Sequence, residues 1–135
     1  MDDILQRVHH VGIAVDDMEA GRAWYRDTLG LKPGLHALMM ERGVEVQFFD
    51  LPGTRIELLA PLGEHSTMTK FLASRGPGLH HVCYEVEDIH RALTELTGRG
   101  LHAIDAEPRD GAEGKLVAFL HPRSAGGVLI ELQQK

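Results

Sequence analysis

Cysteine is nearly absent: Cys83 is the only thiol in 135 residues. No intrachain disulfide is possible, so a reducing, cytoplasmic setting is expected. Long apolar runs are missing too. None approaches the ~20 residues needed to span a bilayer, so no membrane association is expected. The opening MDDILQRVHHVG is acidic and short of apolar length, unlike a secretory signal. Positive charge is scarce: 14 Lys and Arg stand against 20 Asp and Glu, for a net charge of −6. That balance argues against a nucleic-acid partner. An anionic small substrate would need local help from a metal or a few placed cations. The length fits a single domain over 1–135.

Histidine, by contrast, occurs nine times, and part of it is an echo. VHHVGIAVDDM (Val8 to Met18) returns as LHHVCYEVEDI (Leu79 to Ile89). His9 and His10 recur as His80 and His81 at a constant offset of 71 residues. The repeat divides the chain into two modules, about 5–75 and about 76–135. Val11, Ile13 and Val15 alternate with smaller or polar residues, as do Val82, Tyr84 and Val86. Period two predicts a strand with its apolar face on a helix. His10 and His81 then point to the open face. His9 and His80 fall on the helix side and read as structural.

Asp17 and Asp88 are placed to cap a following helix. The first helix is expected over roughly Met18 to Leu29, burying Met18, Trp24 and Leu29, and the second over roughly Ile89 to Arg99, burying Ile89, Leu93 and Leu96. Strands are expected over Gly43 to Leu51, Thr54 to Leu62, Lys115 to Pro122 and Gly127 to Gln134, with a short helix over Ser66 to Gly76 joining the modules. The predicted fold class is α+β: two pseudo-symmetric βαβββ modules forming one curved mixed sheet with a concave metal-binding face.

A second echo closes each module: RIELL (Arg55 to Leu59) and LIELQ (Leu129 to Gln133). Strand parity sets Glu57 and Glu131 opposite the apolar pairs around them. Paired modules would therefore converge His10, Glu57, His81 and Glu131. Two imidazoles and two carboxylates suit a borderline divalent ion with positions left open for a chelating substrate. The lack of a Cys-rich spacing argues against a closed structural zinc site. GAEGKL (Gly111 to Leu116) lacks the full phosphate-loop spacing and precedes a strand, so it reads as a loop over the pocket.

These segments, with FLHPRSAGGVLIEL and ELLAPLGEHSTMTKFL, resemble the vicinal oxygen chelate superfamily, and within it the methylmalonyl-CoA epimerase family. The resemblance spans nearly the whole chain. It implies Co2+, or else Ni2+, Mn2+ or Zn2+, held by His10, Glu57, His81 and Glu131. It also implies a homodimer and a CoA-thioester substrate whose R and S forms interconvert by α-proton exchange through a metal-stabilised enolate. Glu131 is expected to double as the base. Some members carry a second glutamate in the strand after the first module's Gly-Val. Without gaps that position is Val46 here, so Glu45 and Gln47 are the candidates for the second acid or base. Two other functions fit the pattern: lactoylglutathione lyase (glyoxalase I), and a small-molecule-binding resistance-type module, though the latter typically lacks the full ligand set.

Overall fold

The computed structural model describes residues 3–135. Eight strands and three α-helices follow one another as β1 (Arg7–Ala14), α1 (Met18–Ala23), β2 (Lys32–Met39), β3 (Val44–Leu51), β4 (Thr54–Pro61), α2 (Thr67–Arg75), β5 (Gly78–Val86), α3 (Ile89–Gly98), β6 (Arg109–Asp110), β7 (Leu116–Leu120) and β8 (Ile130–Gln134). The βαβββ order occurs twice, β1-α1-β2-β3-β4 and β5-α3-β6-β7-β8, as the repeat predicts. The chain forms two compact units. The first is Val11–His80; the second joins the residues up to His10 to His81–Lys135. Both boundaries cut through a strand, between the two histidines of β5 and directly after those of β1.

In the first unit the strand order is β2-β3-β4-β1. β1 runs parallel to β4, with Gly12 opposite Glu57 and Ile13 opposite Leu58, and β3 runs antiparallel to β4, with Phe48 opposite Glu57. One face carries Ile13, Phe49, Ile56 and Leu58, which pack with Met18 and Tyr25 into a core. Gly21 lets α1 settle on that face: a Cβ there would meet Val15 Cγ1 at 3.2 Å. The other face carries Gly12, Phe48 and Glu57.

In the second unit the order is β5-β8-β7-β6. β5 and β8 are parallel, with Cys83 opposite Glu131, and β7 is antiparallel to β8, with Phe119 opposite Glu131. Val86, Ala118, Leu120 and Leu132 pack with Ile89, Ala92 and Leu96 of α3 in a buried apolar core. Each fully buried Leu, such as Leu132, contributes about 1.5–3 kcal/mol. The start of the chain lies beside β5: Gln6 N donates to Glu85 O at 2.9 Å, and Arg7 Nε lies 3.2 Å from Glu85 Oε1.

Both aspartate caps form. Asp17 accepts from Ala20 N, and Asp88 accepts from His90 N and Arg91 N. The first helix departs from expectation: regular α-helix stops at Ala23 and a wide π-turn carries Trp24–Thr28. The turn rotates the stripe off the core, so Trp24 and Leu29 are each 50% exposed rather than buried. The sequence reading expects a strand here from the βαβββ pattern but gives no bounds for β2. It is a mostly exposed strand with Pro33 and Gly34 inside it and a register shift between Pro33 and His36. An edge strand can hold Pro and a bulge, but they erase its alternation.

Candidate functional site

Three side chains meet inside the second unit. His10 Nε2 lies 3.1 Å from His81 Nε2 and 3.0 Å from Glu131 Oε1, and His81 Nε2 lies 3.0 Å from the same oxygen. β1, β5 and β8 supply one member each. All three are buried, and His81 also packs edge-on against Phe119, with ring centroids 5.8 Å apart. Two Nε2 atoms at 3.1 Å cannot both present lone pairs to each other without repulsion. Both instead lie within hydrogen-bond reach of Glu131 Oε1, to which each ring can direct its proton.

Burial by itself would push the Glu131 carboxyl up. The hydrogen bonds from His10 and His81, together with the charge those rings can carry, outweigh burial and hold it well below the usual carboxylate range. Glu131 is therefore a buried, ionised carboxylate with imidazoles on one oxygen. His10, His81 and Glu131 form a potential metal-binding group.

Glu57 belongs to the first unit. It is buried on β4, on the face that carries Gly12 and Phe48. That is the face sequence parity assigns to it, and β1 reaches Gly12 two residues after His10. Glu45 and Gln47 are corrected by the register. They alternate with Val46 and Phe48 on β3, opposite Ala60 and Leu58, and so lie on the helix side, away from Glu57. Gln47 Oε1 accepts from Arg22 Nε of α1 at 3.0 Å, and its amide donates to Gly34 O and Phe48 O. Glu45 pairs with His36 at 2.7 Å and with Arg22 at 3.6 Å. Both residues anchor α1 and β2.

His9 is also placed differently from expectation. Its Nδ1 is 2.8 Å from His10 Nδ1, and its Nε2 is 3.2 Å from the Gln133 amide and 3.6 Å from Glu113 Oε1. Gln133 follows Glu131 on the same face of β8, so the His9 ring belongs to the site. Regular β1–β4 pairing begins at Val11, one residue beyond the pair. His80 does keep its place: its ring lies edge-on to Phe71 of α2, with centroids 4.7 Å apart. Cys83 is fully buried, and its sulfur lies within 4.8 Å of ligand atoms of His9 and His10. The sequence reading missed Glu113 and Gln133. Gln133 had a signal, since it repeats the parity of Glu131.

The family model of the Glyoxalase/Bleomycin resistance protein/Dioxygenase superfamily matches residues 9–119. The chain is 47% identical to the ethylmalonyl-CoA/methylmalonyl-CoA epimerase of Cereibacter sphaeroides, covering 97% of this chain and 99% of that one. The crystal structure of methylmalonyl-CoA epimerase from Mycobacterium tuberculosis superposes with a TM-score of 0.92 at 34% identity, over 99% of this chain and 91% of that one. A variant of the Streptomyces coelicolor methylmalonyl-CoA epimerase in complex with 2-nitronate-propionyl-CoA gives 0.92 at 32% identity, over 97% and 98%. The chain belongs to the Glyoxalase/Bleomycin resistance protein/Dioxygenase superfamily and, within it, to the methylmalonyl-CoA epimerase family.

Proposed function

We propose that this chain is an isomerase that interconverts the R and S forms of methylmalonyl-CoA by exchanging the proton on the carbon between the carboxylate and the thioester. The observation that carries this reading is the triangle of His10 Nε2, His81 Nε2 and Glu131 Oε1 with 3.0–3.1 Å edges. His10, Glu57, His81 and Glu131 are the proposed ligands of a divalent ion. Two imidazoles and two carboxylates suit a borderline divalent ion, and Co2+ is the one proposed. When bound, such an ion polarises the substrate's carbonyl and carboxylate oxygens and so acidifies the α-carbon.

The chain's own groups then divide the work. Glu131 is ionised at neutral pH and takes the α-proton on one face. Epimerisation also needs a proton delivered to the opposite face of the planar carbon. Glu57, a buried carboxylate on a separate strand, is the group proposed for that face. Phe119 packs edge-on against the His81 ring. The name of the Cereibacter relative supports a second substrate, the ethyl homologue, which differs by one methylene. A homodimer in a reducing cytoplasmic compartment completes the proposal. The single reduced Cys83 supports the compartment, and no helix among the described residues is long and apolar enough to cross a membrane.

The test is α-proton exchange into D2O, followed by NMR with Co2+-loaded protein and methylmalonyl-CoA. Rapid exchange is expected. No exchange, with turnover of a glutathione hemithioacetal in a parallel assay, would instead make the chain a lactoylglutathione lyase. Binding of a small molecule with neither reaction would make it a resistance-type module.

A further inference from the structure

The FLHPRSAGGVLIEL segment carries more than Glu131. After β7 the chain enters a short 3-10 turn, Pro122–Ser124, before β8 begins at Ile130. The turn is held from both sides. The His121 ring accepts from Arg123 N through Nδ1 at 3.1 Å. Ser124 Oγ donates to His121 O at 2.8 Å and accepts from His102 N at 2.9 Å. His121 N donates to His102 O at 2.7 Å, and Gly127 N closes the loop on Pro122 O at 2.8 Å. Gly126 and Gly127 take φ of +68° and +89°, which favours glycine at both.

This frame walls a cavity of about 530 Å3, open to solvent and lined by Gly100, His102, Ala103, His121, Arg123 and Ser124. Its side chains offer donors. His121 Nδ1 is occupied as an acceptor, so the ring proton sits on Nε2. Arg123 can only donate and is always charged, and the His102 ring carries a donor in either tautomer. The Ser124 hydroxyl is already used in both directions. No carboxylate of the described residues lines the cavity.

Arg123 also differs from most arginines of this chain. Arg7 pairs with Glu85, Arg22 with Glu45, Arg91 with Glu95 and Arg109 with Asp105. Arg123 pairs with no carboxylate among the described residues, although acids outnumber bases in the chain. A guanidinium left unpaired beside two imidazoles attracts anions. Helix α3 ends near the same cavity, but Leu96 O and Thr97 O of its last turn already accept from Arg99, Gly100 and Leu101 N.

We propose that this cavity is a phosphate-binding subsite, with Arg123 supplying the charge and His102 and His121 the flanking donors. A phosphate monoester accepts from several donors at once, and the arginine fork matches it. The place of the cavity in the fold points to the source of the phosphate. Phe119 pairs with Glu131 and Leu120 with Ile130. His121 thus lies two residues along from the position opposite Glu131, about 7 Å of strand. A CoA thioester reacting at Glu131 carries its phosphates at the far end of the pantetheine arm, and the subsite would hold them. The assignment to CoA rests on the substrate reading above; the binding of phosphate itself does not.

The test has two arms. In the first, inorganic phosphate is titrated into wild-type protein at fixed pH and ionic strength while NMR follows the ring protons of His102 and His121. Both should shift together and saturate, and Arg123→Ala should weaken binding about 10-fold. Arg123→Lys should recover part of the loss, since it keeps the charge without the fork. In the second arm, KM is measured for methylmalonyl-CoA and for methylmalonyl-pantetheine, which lacks the nucleotide and all phosphates. Arg123→Ala should raise KM about 5- to 10-fold for the CoA ester alone. Imidazole signals that ignore phosphate, or an Arg123→Ala variant that binds it as tightly as wild type, overturn the subsite. Phosphate binding with an unchanged KM for the CoA ester upholds the subsite and overturns its assignment to CoA, as does a KM raised equally for both esters. Wild-type protein that exchanges no α-proton of methylmalonyl-CoA overturns the isomerase reading, and the phosphate titration still decides the subsite. Should Arg123→Ala fail to fold, His102→Ala replaces it, with a smaller loss expected and His121 as the reporter.

Discussion

Replacing His81 with alanine should nearly abolish the stabilisation of this protein by a divalent ion. For a site occupied at 100 times its dissociation constant, binding adds about 2.7 kcal/mol to folding stability. In a chain of this size each kcal/mol moves the melting temperature by roughly 4 °C, so the wild-type protein should gain about 10 °C in saturating Co2+. His81 supplies one corner of a triangle whose edges are 3.0–3.1 Å. A variant that weakens binding 100-fold retains about 0.4 kcal/mol at the same concentration, a shift of roughly 2 °C. The metal-free variant should also melt lower, because Glu131 loses one of its two imidazole partners and a charged hydrogen bond contributes about 1.5–3 kcal/mol. The assay is calorimetry of stripped protein with and without Co2+. A His81→Ala variant that still gains the full wild-type shift would refute the ligand assignment.

Leu132→Ala should cost about 2–5 kcal/mol in urea unfolding, since the side chain is fully buried against α3's partners in the second unit's core. Asp88→Ala removes the acceptor for His90 N and Arg91 N and should cost about 1 kcal/mol, read from the same unfolding curves. Burial raises the Tyr25 hydroxyl above its ordinary 10.0, so the folded state favours the neutral phenol. Its contribution is full below pH 10 and is lost as pH rises through the higher folded value. Ultraviolet titration should show one of the two tyrosines, absent in Tyr25→Phe, ionising above the midpoint of the unfolded protein.

Much of this architecture was legible because the chain states its plan twice. The offset between the His-His pairs fixed the module, and period two on β1 and β5 placed His10 and His81 on the ligand side. The caps at Asp17 and Asp88 are local signals and came through intact. The losses have specific causes. Helix α1 ends in a π-turn that no 3.6-residue stripe anticipates, and this exposes Trp24. Strand β2 hides behind Pro33 and Gly34. Glu45 and Gln47 were suggested by neighbourhood to Val46, but a single-residue step in a strand changes faces, and the β3–β4 register decides which face each takes. His9 and its partners Glu113 and Gln133 lie more than a hundred positions apart in sequence. No local pattern links residues whose only relation is tertiary.

The second unit draws its residues from both sides of the Val11–His80 segment, and its ligands inherit that topology. His10 and Glu131 are separated by 121 positions. An ion bound to both closes a loop of that span, as a covalent cross-link would. Loop closure on this scale removes roughly 5 kcal/mol worth of conformational freedom from the unfolded chain. A chain with a single thiol cannot staple its distant strands with sulfur. An ion bound at the proposed site would do so instead, and it would lock the fold by the same bonds that would prepare it for chemistry.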